Sequence, residues 1–243
     1  MIRLHRTAAL LAVATLLAAC TGDAASPTIP TANPAASASA AAASASAAPA
    51  STSSAASAGA VDLSNCPTAQ PAPMAATDAK LVTLKTSKGT IAIKVEGSLS
   101  PIAAGNFVAL AQCGYYDGVV FHRLVPGFVI QGGDGQYGRM PNVDSTMVGQ
   151  GGPAYTIQDE PVTSAYTRGT VAMAKTSAPN SANSQFFIVL ANAGLPSRYQ
   201  IIGQVTSGMD VVDAIAAMPN SGDQSGNQAL DPVAMDKVTV SNP

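Results

Sequence analysis

The sequence contains no tryptophan, and histidine and cysteine are almost absent: His5 and His122, and Cys20, Cys66 and Cys113. With so few imidazoles and thiols, a His/Cys metal site cannot be assembled, and neither a metal nor a cofactor is expected. A Ser-His-Asp hydrolase would have to use His122, and neither a Gly-x-Ser-x-Gly elbow nor a His-Glu-x-x-His helix is present. Aromatic residues make up 5% of the chain and charged residues 11%, with no basic stripe, so nothing marks a nucleic-acid surface. The apolar run Ala8 to Ala19 is 12 residues long, too short for a bilayer core of about 30 Å.

What is abundant is alanine, and much of the 47% hydrophobic content lies in the first 60 residues. Arg3, His5 and Arg6 precede the short apolar run, which ends Leu17-Ala18-Ala19-Cys20. A basic start, a short apolar core and small residues at the cut are the parts of a secretory signal. The ending resembles the bacterial lipobox, in which the cysteine is acylated and becomes the new N-terminus. The expectation is therefore a signal peptide over 1–19 and a lipid on Cys20 that holds an exported protein on the outer face of the cell membrane, or on a periplasmic face. An ordinary signal with a chance cysteine is the plainer alternative. Removal of residues 1–19 leaves 10 basic against 14 acidic residues. Thr21 to about Ala60 is Ala, Ser, Thr and Pro, which bury too little surface to offset their ordering entropy, so a disordered tether is expected. A flexible chain of about 45 residues spans roughly 35–40 Å. The linker is drawn over 20–77 and the folded domain over 78–243. Cys66 and Cys113 are an even pair in an exported chain, which predicts a disulfide; two unpaired buried thiols are the alternative.

The rest of the chain reads as short strands with two helices. Leu81 to Thr86 and Thr90 to Val95 alternate around Ser87-Lys88-Gly89 and predict a hairpin. Ser100-Pro101 predicts an N-cap and first-turn proline, with Ile102, Asn106, Phe107 and Leu110 at helical spacing and Gly114 as a left-handed stop. Ser207-Gly208-Met209-Asp210 has the pattern of a capping box for a second helix that ends before Pro219. Strands are expected at Val171 to Lys175, Gln185 to Leu190, Gln200 to Val205 and Lys237 to Val240. Many short strands and few helices point to a barrel or sandwich.

Phe121-His122-Arg123-Leu124-Val125-Pro126-Gly127-Phe128-Val129-Ile130-Gln131-Gly132-Gly133-Asp134 reads as two strands joined at a Pro-Gly turn. Strict alternation puts Val119, Phe121 and Arg123 on one face, and Phe128, Ile130 and Gly132 on one face of the second strand. His122 then falls out of phase with Arg123, as a strand residue beneath the site. A guanidinium among apolar side chains is costly unless it has partners or a substrate. The run Gly133 to Gly138 matches a dinucleotide fingerprint, but Arg139-Met140-Pro141-Asn142 offers no helix to receive a pyrophosphate. Asp159-Glu160 could be an acid pair, but neighbours on an extended chain point apart, which favours a solvated or structural role.

Together with Asn183-Ser184-Gln185-Phe186-Phe187-Ile188, this stretch closely resembles the signature of the cyclophilins, the peptidyl-prolyl cis-trans isomerases, from about Lys80 to Val240. The resemblance implies a mainly β fold: an eight-stranded antiparallel barrel capped by two α-helices. It implies that Arg123 is the catalytic arginine and that Phe128, Val129, Phe187 and Leu195 wall a proline pocket. Gln131 and Gln185 would orient the arginine and substrate, Ala174 and Lys175 would lie along the bound peptide, and Tyr199 would border the site. The implied partners are proline-containing peptides and folding protein clients, with a monomer expected. Two departures stand out. Gly194 occupies the position of a Trp in human-type members, and Asp134 to Gly149 is longer than the usual loop before Gly149-Gln150-Gly151-Gly152. The rival readings are a non-catalytic module for Pro-containing segments, which would need the pocket but not the arginine, and a solute-binding or structural lipoprotein.

Overall fold

β-branched and aliphatic residues alternating with polar ones make the first hairpin. In the computed structural model, which describes residues 61–192, 194–222 and 227–243, β1 (Ala79–Thr86) pairs antiparallel with β2 (Gly89–Glu96). Their inward residues Val82, Leu84, Ile91, Ile93 and Val95 are fully buried. The expected leader, Cys20 and the tether through Ala60 lie outside the described residues.

Next come α1 (Pro101–Gln112), β3 (Val119–Val125), β4 (Val129–Gly132), β5 (Thr170–Met173) and β6 (Phe186–Val189). They are followed by β7 (Ile201–Ser207), α2 (Met209–Ala216) and β8 (Ala234–Ser241). The eight strands close into one barrel in the order β1-β2-β7-β5-β6-β4-β3-β8, and every pairing is antiparallel. Closure leaves no open sheet edge. α1 packs against β7 and β8, and α2 against β2, β3 and β4. Phe107, Leu110, Val212 and Ile215 thereby join the barrel strands in a single core.

β6 is buried along its whole length because both of its faces are covered. Phe186 and Ile188 enter the interior, while Phe187 and Val189 belong to a separate cluster with Val129, Ala172 and Ile201. That second cluster is the foundation of the site described below.

The helix boundaries agree with the sequence, as do Pro101 in the first turn and the left-handed Gly114 (φ 82°) just past α1, but the expected N-terminal side-chain caps do not form. Ser100 occupies the N-cap position of α1 without a side-chain capping bond, and its Oγ is buried with no partner among the described residues. The amides of Ile102 and Ala103, which have no partner within the helix, donate instead to Glu160 Oε1 and Oε2, at 2.8 and 2.9 Å. At α2 the N-cap is Gly208 rather than Ser207, and no side-chain cap forms. The chain turns left-handed there (φ 88°), and a Cβ on Gly208 would lie 2.2 Å from the Thr90 carbonyl oxygen, so tertiary contact overrides the capping box.

Residues placed in the linker by composition also make native contacts. Cys66 is bonded to Cys113 at the end of α1, with Cα atoms 5.1 Å apart. The Met74 amide donates to the Pro101 carbonyl at 2.9 Å, and the Gln158 amide donates to Gln70 Oε1 at 2.9 Å. In the chain-entropy account, a cross-link of this loop length stabilises by at most about 4 kcal/mol.

Candidate active site

A groove of about 550 Å³ opens on the outer face of the barrel, and all ten residues singled out for substrate chemistry line it: Arg123, Phe128, Val129, Gln131, Ala174, Lys175, Gln185, Phe187, Leu195 and Tyr199.

Strand register explains how three of them meet. Arg123 on β3 is opposite Gln131 on β4, and Gln131 is opposite Phe187 on β6. Residues directly opposed in an antiparallel sheet share a face, so guanidinium, amide and phenyl ring stand in one row. Strict alternation would not have produced this row. From Phe121 to Arg123 the chain advances two residues, while its partner advances one, from Gly132 to Gln131. His122 is therefore the extra residue of a β-bulge. Phe121 and Leu124 face the interior and Arg123 the groove, which corrects the shared face expected for Phe121 and Arg123. On the other side of the turn, Ile130 also points inward, while Phe128 packs on the outer cluster beside Val129. Pro126-Gly127 turns as expected, with Gly127 at φ 73° and the Phe128 amide donating to the Val125 carbonyl at 3.0 Å.

His122 is 5% exposed, and neither ring nitrogen has a hydrogen-bond partner among the described residues. Burial pulls its pKa down to about 4, with Asp134 opposing and Arg123 reinforcing the shift. The neutral ring is a packed wall and not a general base.

Arg123 is half-buried, and burial lowers its pKa, with Tyr199 opposing that effect. Among the described residues no carboxylate lies within ion-pair distance of its guanidinium. Gln131 Nε2 donates to Gln185 Oε1 at 3.0 Å, and Gln185 Nε2 donates to the carbonyls of Gly149 and Gly151, both at 2.9 Å. The two amides are thus held in one orientation. The Phe187 ring meets the Tyr199 ring edge-on, with centroids 5.5 Å apart. Behind Tyr199, the Tyr166 hydroxyl donates to the Tyr199 carbonyl at 2.8 Å and accepts the Tyr199 amide at 3.0 Å. Arg198 lies over the Tyr199 ring, 5.0 Å from its centroid.

β5 stops at Met173, shorter than the expected strand to Lys175, but the Ala174 amide still donates to the Gln185 carbonyl at 2.8 Å. The Lys175 ammonium pairs with Asp159, its side chain only 6% exposed. Burial alone would raise the Asp159 pKa, but the Lys175 hydrogen bond and the Asn180 amide outweigh it and hold the carboxyl below its usual value. Asp159 and Glu160 therefore act separately, one at the groove and one at the helix.

Sequence reasoning missed Gly149, Gln150, Thr176, Ser181 and Asn183, which complete the lining, and Tyr166, which backs it. The glycine run at 149–152 was a signal for the first two. Gly194, next to the groove residue Leu195, has no atom of the described residues within 4 Å of where its Cβ would stand.

The family profile described as cyclophilin type peptidyl-prolyl cis-trans isomerase/CLD matches residues 81–240. A probable peptidyl-prolyl cis-trans isomerase of Brucella abortus is 39% identical over 163 residues, covering 65% of this chain and 81% of the relative. The peptidyl-prolyl cis-trans isomerase of Acinetobacter baylyi is 39% identical over 148 residues, covering 58% and 74%. A crystal structure of a Cryptosporidium parvum cyclophilin-type isomerase superposes with a TM-score of 0.58 at 30% identity, over 68% of this chain and 99% of that one. The same protein was also solved in the presence of the dipeptide Ala-Pro, with a TM-score of 0.57 at 29% identity, over 67% and 99%. Barrel, groove and sequence agree: this chain belongs to the cyclophilin-type peptidyl-prolyl cis-trans isomerases.

Proposed function

We propose that the groove grips an X-Pro segment of an exported protein and lowers the barrier to rotation about its X-Pro bond. That barrier, about 18–20 kcal/mol, arises from amide resonance. Rotation needs no nucleophile, base or metal. As the amide twists, its nitrogen regains a lone pair, and a donor aimed at that nitrogen stabilises the twisted state more than the planar one. Arg123 is that donor; its guanidinium stays protonated and presents a rigid fork. The proline ring packs on Phe128, Val129, Phe187 and Leu195, and the peptide backbone runs along Ala174 and Lys175. Gln131 and Gln185 fix the arginine and a substrate carbonyl, and Tyr199 borders the pocket. The ligand class is the one present with the Cryptosporidium relative, a proline-containing peptide.

The observation that carries this reading is the half-buried Arg123, free of any carboxylate among the described residues and placed in register with Gln131 and Phe187 beside an apolar cluster. A pure binding pocket would have no use for an unneutralised guanidinium there.

The cellular setting is an envelope membrane, with the enzyme anchored by a lipid on Cys20 after removal of residues 1–19 and acting as a monomer on folding clients. The basic leader, the Leu17-Ala18-Ala19-Cys20 ending and a disulfide suited to an oxidising compartment support it. The test combines an isomerase assay on the full chain with fractionation of cells expressing wild type or Cys20→Ser. Turnover with wild type in membranes and the variant released is expected. An inactive wild type, or a variant that stays in the membrane fraction, contradicts the corresponding half of the reading.

A further inference from the structure

We propose that Asp134 is a positioning residue for the isomerase site, holding the Gly149–Gly151 loop so that its carbonyls fix Gln185 and, through it, Gln131 opposite Arg123. The inference rests on the role given to Arg123 and the two glutamines above.

Asp134 follows β4 and is fully buried. Its Oδ1 accepts the amides of Gln136 and Tyr137 at 3.0 and 2.9 Å, and its Oδ2 accepts those of Gly149 and Gly151 at 2.7 and 2.9 Å. Among the described residues no Lys or Arg pairs with it. Burying an ionised carboxylate without a counter-cation is costly, and here only backbone N–H groups offset the cost.

The loop these amides belong to has two faces. Its N–H groups at 149 and 151 point to the carboxylate, while its carbonyls at the same positions accept both hydrogens of the Gln185 side-chain amide. Gln185 Oε1 then receives Gln131 Nε2, and Gln131 stands opposite Arg123. The approach is close: a Cβ on Gly151 would lie 2.5 Å from Asp134 Oδ1. A carboxylate is required because it offers acceptors on both oxygens. Asparagine has one carbonyl oxygen, and its NH₂ would confront two backbone N–H groups.

The proline pocket does not depend on this relay. Phe128, Val129, Phe187 and Leu195 pack on the cluster between β4, β5, β6 and β7. Loosening the relay should therefore slow turnover more than it weakens peptide binding, since of the binding contacts only that of the two glutamines with a substrate carbonyl is disturbed, a split that a merely destabilised fold would not give.

The test is exchange NMR on a proline-containing peptide with the full chain, comparing wild type, Asp134→Asn, Gln185→Ala and the double variant. Asp134→Asn should turn over roughly 10- to 100-fold more slowly, with peptide Kd raised by no more than about fivefold, the share of the glutamine–carbonyl contact. The double variant should be no slower than Gln185→Ala to within about twofold, because the two residues act along one path. Independent, multiplying losses would overturn the proposal, as would wild-type turnover in Asp134→Asn or a loss confined to Kd. If Asp134→Asn does not fold, Gly151→Ala, which pushes the loop off an unchanged carboxylate, takes its place in the same cycle. If neither folds, Asp134 serves the fold and not the site, and the proposal is wrong. Arg123→Ala separates the two levels: if it keeps full turnover, the reading of the site has failed, whereas slow Arg123→Ala with multiplying losses defeats only the role of Asp134.

Discussion

Glu160 caps α1 from 58 residues away, its two carboxylate oxygens accepting the amides of Ile102 at 2.8 Å and Ala103 at 2.9 Å. A carboxylate at a helix N-terminus satisfies orphan donors and complements the helix dipole. The same Oε2 accepts Gln200 Nε2 at 3.1 Å, so the cap also ties the helix to the start of β7. Glu160→Ala should lower unfolding free energy by about 1–2 kcal/mol, read from urea midpoints at constant m. Glu160→Gln, which keeps one acceptor oxygen, should recover part of the loss. Equal midpoints for wild type and Glu160→Ala would show that Ser100 or solvent caps the helix.

His122 gives the protein a defined sensitivity to acid. Its pKa is about 4 in the folded chain against 6.5 ordinarily, chiefly through burial, with Asp134 raising and Arg123 lowering it. The unfolded chain therefore binds a proton first as pH falls. The stability from keeping this ring neutral is complete above pH 6.5 and is lost as pH drops towards 4, by about 3 kcal/mol in all. Neither ring nitrogen has a partner among the described residues, so an apolar replacement leaves no acceptor or donor unsatisfied. Between pH 7 and 4.5, wild type should lose about 2–3 kcal/mol more than His122→Leu in urea titrations. Parallel pH profiles for the two proteins would mean that His122 is not held neutral by the fold.

Much of the architecture could be read from local pattern. The hairpin at 81–95, the helix after Pro101 and the turn at Pro126-Gly127 depend on neighbours in sequence, and they form where expected. The sequence pattern starts β8 at Lys237, but the strand begins at Ala234. A bulge there leaves Asp236 and Lys237 both exposed, which hides the alternation. The bulge at His122 was hidden for a related reason. Nothing in Val119-Val120-Phe121-His122-Arg123 marks an extra residue, and only pairing with β4 reveals it. Gly208 and Glu160 took the capping roles of Ser207 and Ser100 through contacts distant in sequence. Residues 66–74, thin in large apolar side chains, read as linker by composition, although the Cys66–Cys113 bond and the Met74 amide fasten them to α1. The ten groove residues came from motif resemblance. The loop that supports them, Gly149 to Gly151, stood out only as a glycine run whose partner, Asp134, cannot be read from composition or periodicity.

The most direct measurement of the mechanism is line-shape NMR on a proline-containing peptide with Arg123→Ala, which reports exchange rate and affinity separately. Removing one preorganised donor to the twisted amide should slow exchange by roughly 10²–10³. Peptide affinity should be largely retained, since the proline pocket is intact. Arg123→Lys should recover little, because a flexible point charge does not reproduce the planar fork. Exchange as fast as wild type in Arg123→Ala would contradict the account: the guanidinium would not be the donor, and rotation would be catalysed by the pocket alone.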